Sequence, residues 1–173
     1  MLGLIDCVRM IQMNDARRIT IYTDGCSYPS NPGKVGSWCS ITLWNGNEKV
    51  VSKTVTQGLI TSNRMESLAV IETLEMILKS GVKYPIKIVT DSMYNVYGLR
   101  AGRKWSRKKK LLNKDIWERY WNLLDTYKHQ EIKAEWIAGH NGDRYNERCD
   151  SICLEIAKKE YYEAELQSNQ YCL

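Results

Sequence analysis

Residues 18–33 read RITIYTDGCSYPSNPG, and the layout of the chain follows from this stretch. Its first six residues, RITIYT, alternate and are rich in β-branched side chains, which is strand chemistry. Asp24-Gly25 is expected to end that strand, and residues 27–33 (SYPSNPG) are turn chemistry throughout. Two further strands follow at residues 36–43 (GSWCSITL) and 49–56 (KVVSKTVT). Asn45-Gly46 lies between them and favours a tight hairpin.

Beyond the meander the period changes. Residues 63–80 place apolar side chains at 65, 68, 71, 74, 77 and 78, a helical stripe that Gly81 stops. Residues 86–90 (IKIVT) form a short apolar strand of the buried type, and a second helix starts at Asp91 or Ser92. Residues 115–128 repeat apolar positions at 116, 117, 120, 123, 124 and 127, an amphipathic helix. Residues 132–137 (IKAEWI) alternate as a strand, and a long helix runs from about Asn146 past Ala157. Three strands in a meander, then strands separated by helices, predict an α/β fold with a mixed sheet and helices on its faces. Residues 1–17 show no clear period and are expected to be an N-terminal extension. Residues 18–173 then form one domain with a helical tail after about 158.

Composition narrows the class. The chain has 173 residues, 43% hydrophobic and 26% charged, ordinary for a globular domain. No apolar run approaches the roughly 20 residues a membrane helix needs. The N-terminus lacks a basic region before its apolar residues, so no secretory signal is expected, and a cytoplasmic, reducing setting follows. The six cysteines, at 7, 26, 39, 149, 153 and 172, contain no C-x-x-C pair, which argues for scattered thiols over structural zinc. Eight basic residues and no acidic one fall within residues 100–114: Arg100, Arg103, Lys104, Arg107, Lys108, Lys109, Lys110 and Lys114. Set against a net charge of +5, they leave the rest of the chain at −3. A mildly acidic body with one basic segment suits a polyanionic substrate, although a solvated charge run is equally ordinary.

Four carboxylates fall where such a sheet can gather them. Asp24 and Asp91 follow the first and fourth strands, and adjacent parallel strands would bring both to the binding edge of the sheet. Glu66 opens the first helix and Asp150 lies near the start of the last. Singly, each has a local explanation. Asp24 suits a turn before glycine, and Glu66 could close a capping box with Asn63. Asp91 could cap the following helix, and Asp150 could answer a helix dipole. Together they would repel one another, and oxygen-only ligands of this kind suit magnesium or manganese.

From Arg18 to Lys158 the chain resembles type 1 ribonuclease H. Four segments carry the resemblance: Thr23-Asp24-Gly25 with Asn31-Pro32-Gly33; Thr61-Ser62-Asn63-Arg64-Met65-Glu66; Thr90-Asp91-Ser92; and Gly139-His140 with Asn146-Glu147-Arg148-Cys149-Asp150. The resemblance implies a five-stranded sheet, an antiparallel meander followed by two strands parallel to the first. It implies a monomeric endonuclease that hydrolyses the RNA strand of RNA–DNA hybrids and leaves 5′-phosphate and 3′-hydroxyl ends. Asp24, Glu66, Asp91 and Asp150 would hold two Mg²⁺ ions, replaceable by Mn²⁺, flanking the scissile phosphate. His140 would be an auxiliary catalytic residue, a side chain able to carry a proton near neutral pH. Gly25, Cys26, Ser27, Asn31, Ser62, Asn63 and Met93 would contact the hybrid around the RNA 2′-hydroxyl, and Thr61 and Asn113 would bind a phosphate of the DNA strand.

The chain departs from the family pattern at three places. The loop from Asp24-Gly25 to Asn31 is one residue longer than in common bacterial members. Leu59 stands where an arginine often completes the phosphate pocket, and Gly102 where a DNA-channel tryptophan is expected. Trp105, among arginines and lysines, is the expected aromatic contact to nucleic acid in the shortened basic segment. A non-catalytic hybrid-binding module, or another ribonuclease-H-like nuclease or integrase, is the competing reading.

Overall fold

A computed structural model describes residues 18–107 and 111–170. The expected N-terminal extension (1–17) and Lys108, Lys109 and Lys110 of the basic segment lie outside the described residues. The elements are β1 (Ile19–Tyr28), β2 (Val35–Trp44), β3 (Asn47–Val55), α1 (Ser62–Lys79), β4 (Ile86–Thr90), α2 (Met93–Ala101), a 3₁₀ segment (Gly102–Arg107), α3 (Lys114–Thr126), β5 (Ile132–Trp136) and α4 (Arg144–Gln170). The sheet runs β3-β2-β1-β4-β5. β1, β2 and β3 pair antiparallel, and β4 and β5 continue parallel to β1. This is the mixed five-stranded sheet expected.

The hairpin joining β2 and β3 turns on Asn45 (φ 51°) and Gly46 (φ 75°), two left-handed residues in succession, as the sequence requires of a two-residue loop. β1 is longer than its alternation suggested. It continues through Asp24 and Gly25 to Tyr28 by pairing with β2 as far as Tyr28–Val35. Its pairing with β4 stops earlier, at Tyr22–Val89. The strand outlasts its local signal because long-range ladder bonds, not propensity, hold its second half.

One face of the sheet carries α1, α2 and α3. Ile19, Ile21, Trp38, Ile86 and Ile88 meet Met65, Leu68, Leu74, Trp117 and Tyr120 there. Gly98 of α2 is required by this packing, since a Cβ would lie 2.2 Å from the Trp117 ring. Among the described residues the opposite face carries α4, whose Cys149 and Cys153 pack on Cys39 and Ile41 of β2. The four described cysteines are free thiols, three of them buried.

Trp105 does not present its ring to solvent. It is 5% exposed, stacks on Trp117 with centroids 5.8 Å apart, and meets Tyr94 edge-on at 5.7 Å. The expectation that it contacts nucleic acid is corrected accordingly. Burying its large apolar area beside two other rings outweighs the polar character of its neighbours in sequence. Two of those neighbours are also engaged in the fold: Arg100 donates to the Ala134 carbonyl at 2.9 Å, and Arg103 pairs with Asp125. Trp105→Ala should therefore cost about 3–5 kcal/mol of stability, as for other buried aromatics, read by chemical denaturation. Unchanged stability with weaker nucleic-acid binding would return Trp105 to the surface role.

Candidate active site

β1 leaves β4 after Tyr22, and the edge opened there holds the four carboxylates. Asp24 pairs in register with Cys39 on the face covered by α4. It is 8% exposed, and its Oδ1 accepts from the Gly25 N–H at 2.7 Å. The Cys153 thiol of α4 donates to the Asp24 carbonyl at 3.4 Å, which seats α4 directly behind it. Asp91 follows β4 and is free of capping duty, because Ser92 caps α2 by accepting from Asn95 N. Its Oδ2 accepts from Asn146 Nδ2 of α4 at 3.2 Å, and its carbonyl accepts from Trp136 Nε1 at 2.9 Å.

Glu66 comes from the other face and reaches the same edge past Gly25. A Cβ on Gly25 would fall 2.4 Å from Glu66 N and from the Met65 carbonyl carbon, so only glycine lets the first turn of α1 come this close. Thr61, not Asn63, caps this helix, its hydroxyl accepting from Arg64 N at 3.2 Å. The capping-box explanation of Glu66 is thereby removed. Its Oε2 is buried with no hydrogen-bond partner among the described residues. Asp150 lies in the second turn of α4, since that helix begins at Arg144 and Asp143 accepts from the N–H groups of Tyr145 and Asn146 at 3.0 Å. It is past the reach of a helix-dipole explanation.

His140 occupies a left-handed turn (φ 52°) between β5 and α4, its side chain 83% exposed, with Nδ1 3.9 Å from Asp150 Oδ2. Gly139 beside it packs on Asp91, where a Cβ would stand 2.7 Å from Oδ2. On the outer rim Ser27 and Ser62 share a hydroxyl hydrogen bond at 3.2 Å, and Asn31 Oδ1 accepts from Ser62 N at 3.3 Å. Met93 is exposed at the start of α2, and Asn63 is exposed in α1. The Cys26 thiol bonds Ser37 at 3.2 Å, so its backbone, more than its side chain, is available at the rim. Asn113 (φ 54°) begins α3 with Oδ1 3.5 Å from Arg64, whose guanidinium pairs with Asp115. Arg64 thus bonds Thr61 through its backbone N–H and Asn113 through its guanidinium, while Leu59 is 62% exposed. Asn146, Gly139 and Ser92 are contacts whose part the sequence reading left unassigned. The available signal was spacing, since Asn146 precedes Asp150 by four residues on one helix face.

Electrostatics shows how closely the carboxylates lie. Burial first, then Asp91, and further Asp150 and Glu66, push the Asp24 carboxyl up from its ordinary 3.8 to about 8, against the Gly25 N–H. Burial, and behind it Asp91, also raise Glu66, against the Ser92 hydroxyl. Among the described residues no three acidic, histidine or cysteine side chains converge on one point as a closed metal cage would. The donors do suit hard cations that take one or two carboxylates each and complete their shell with water and phosphate, as magnesium does. The partnerless Glu66 Oε2 and the proton-holding Asp24 are groups such a cation would satisfy.

A stability prediction follows for the metal-free chain. Folded Asp24 holds its proton up to about pH 8, whereas the unfolded chain releases it near 3.8. The folded state binds more protons between those values, so stability falls as pH rises through that window. Asp24→Asn should raise the metal-free unfolding midpoint at pH 8 by roughly 4–8 °C, equivalent to about 2 kcal/mol at this chain length. At pH 4 the gain should vanish. A variant less stable than wild type at pH 8 contradicts the electrostatic account.

Both the sequence and the fold are similar to those of known proteins. A sequence profile of RNase H matches residues 16–158. A ribonuclease H of Pelobacter propionicus is 38% identical over 143 residues, 78% of this chain and 81% of that protein. One of Nitratidesulfovibrio vulgaris is 40% identical over 152 residues, 82% of this chain and 90% of that protein. Among solved structures, LC9-RNase H1, described as a type 1 RNase H with the type 2 active-site motif, superposes with a TM-score of 0.66. It is 22% identical, over 83% of this chain and 74% of its own. LC11-RNase H1, solved in complex with an RNA/DNA hybrid, gives a TM-score of 0.63 at 22% identity, over 83% of this chain and 99% of its own. With the profile spanning most of the chain and relatives of this identity matched over more than two thirds of their lengths, the chain belongs to the ribonuclease H family.

Proposed function

We propose that the protein is a divalent-metal-dependent endonuclease that hydrolyses the RNA strand of RNA–DNA hybrids, leaving 5′-phosphate and 3′-hydroxyl ends. The observation that carries the reading is the gathering of Asp24, Glu66, Asp91 and Asp150 from four separate elements at one sheet edge, with Glu66 Oε2 buried and unpartnered. The ribonuclease H relatives, and the hybrid bound to LC11-RNase H1, support the substrate class.

Two bound cations, magnesium or manganese, would supply activation of the attacking water and neutralise charge on the scissile phosphate. The chain's own work is positioning. Asp24 and Asp91 stand on the α4 side, Glu66 faces them across Gly25, and Asp150 closes the group from α4. Asn146 orients Asp91 by its amide, and Gly139 leaves room for that carboxylate. His140, exposed beside Asp150, is placed to carry a proton between the site and solvent.

Gly25, Cys26, Ser27, Asn31, Ser62, Asn63 and Met93 form the RNA-facing rim. Hydroxyl, amide and backbone groups of this kind pair with a 2′-hydroxyl, which both donates and accepts. Thr61 and Asn113 take a phosphate of the DNA strand, with Arg64 held beside them. Backbone and sugar contacts give little sequence preference. The enzyme acts as a monomer in the cytoplasm. The free thiols support a reducing compartment, and no described helix is long and apolar enough to cross a membrane.

One assay tests the reading: labelled RNA–DNA hybrid, double-stranded RNA and double-stranded DNA, each incubated with Mg²⁺ and either wild type or Asp24→Asn. Cleavage of the hybrid alone is expected, reduced at least about 100-fold by the substitution, the scale of losing one charge-stabilising group. Hybrid binding without cleavage would assign a binding module instead. Cleavage or joining of duplex DNA would assign another branch of the fold.

A further inference from the structure

The last turns of α4 lie beyond residue 158, where the family match ends, yet they fold back onto the loop that carries Asn31. Tyr161 and Tyr162 close on Tyr28, the last residue of β1, with ring centroids 5.4 and 6.2 Å away and edge-on geometry in both pairs. The two tyrosines also meet each other edge-on at 5.4 Å, so the three rings form one cluster. The Tyr28 and Tyr162 hydroxyls share a hydrogen bond at 3.0 Å. Lys34, at the far end of the loop, pairs with Glu165 at 2.9 Å and lies over the Tyr161 ring at 5.5 Å. The tail thus grips both ends of residues 28–34.

Inside the loop, Lys34 N donates to the Tyr28 carbonyl at 2.9 Å and Gly33 N to the Ile60 carbonyl at 3.0 Å. Asn31 then meets Ser62 N at the head of α1. The loop therefore has an inner seat on α1 and an outer clamp made by the tail. Each ring pair and the exposed ion pair are individually weak contacts. Their sum is little against global stability, but it is the scale on which one loop is ordered or left to fluctuate.

We propose that residues 161–165 are positioning residues for hybrid recognition: Tyr161, Tyr162 and Glu165 hold the Tyr28–Lys34 loop so that Asn31 is ordered before substrate arrives. The proposal rests on the reading of the protein as a hybrid-cleaving enzyme. An ordered loop removes an entropy cost from binding and leaves the chemical step alone. Its signature is a KM effect without a kcat effect.

The test uses the full chain, wild type against Tyr161→Ala/Tyr162→Ala, with Glu165→Ala and Tyr162→Phe as milder variants. Hydrogen exchange of the Gly33 and Lys34 amides, without substrate, reads the clamp directly. Exchange should quicken about tenfold in the double variant, with the unfolding midpoint nearly unchanged. KM for hybrid should rise roughly five- to tenfold with kcat within about twofold. Tyr162→Phe, which keeps the ring, should stay close to wild type. Unchanged exchange overturns the clamp. Faster exchange with unchanged KM overturns the positioning role, and an equal fall in kcat assigns the tail to the active site itself. If wild type fails to cleave hybrid, the functional reading falls and with it the positioning role, while exchange still decides whether the clamp exists.

Discussion

Like charges confined to one sheet edge are the constraint on which the structure is organised. Burial, and behind it Asp91, Asp150 and Glu66, raise the cost of ionising Asp24, and burial and Asp91 do the same to Glu66. Nothing in hydrophobic packing favours such a cluster. It persists because each carboxylate is anchored by an element with its own reasons to be in place. β1 is held by ladders on both sides, α1 by a deep apolar stripe, β4 by its place between β1 and β5, and α4 by packing Cys149 and Cys153 on Cys39 and Ile41.

Small side chains do much of the fitting. Gly25 admits the backbone of α1, and Gly139 admits the Asp91 carboxylate. The Cys153 thiol reaches the Asp24 carbonyl at a place where a bulkier residue would lift α4 from the sheet. The buried cysteines thus serve as compact packing groups under the site; burial raises the Cys153 thiol, and the hydrogen bond with Cys39 and then burial raise that of Cys149, well above the usual range. Those groups are accordingly poor nucleophiles and inert neighbours to the carboxylates.

Much of this was legible in the amino-acid order. The Asn45-Gly46 hairpin, the α1 stripe and the buried run IKIVT each carry a local signal that the tertiary structure obeys. The convergence of the carboxylates could be read from strand ends once the mixed sheet was assumed. What the sequence concealed depends on contacts distant along the chain. β1 runs past Asp24 because β2 pairs with it there. Trp105 is buried because Trp117 and Tyr94 come to meet it, although its immediate neighbours are charged. Asn146 becomes an Asp91 ligand only when α4 crosses the sheet. The tail, which has no motif, finds its partners on a loop more than 125 residues earlier.

On the function proposed, the carboxylate cluster takes a cation, and a proton on Asp24 offsets part of its charge until metal arrives. Calorimetric titration of Mg²⁺ into the metal-free protein at pH 6.5, in two buffers of different ionisation enthalpy, measures that proton. Binding should release about one proton per protein from wild type and almost none from Asp24→Asn. Metal binding to wild type without proton release, or no binding at all, would contradict the account.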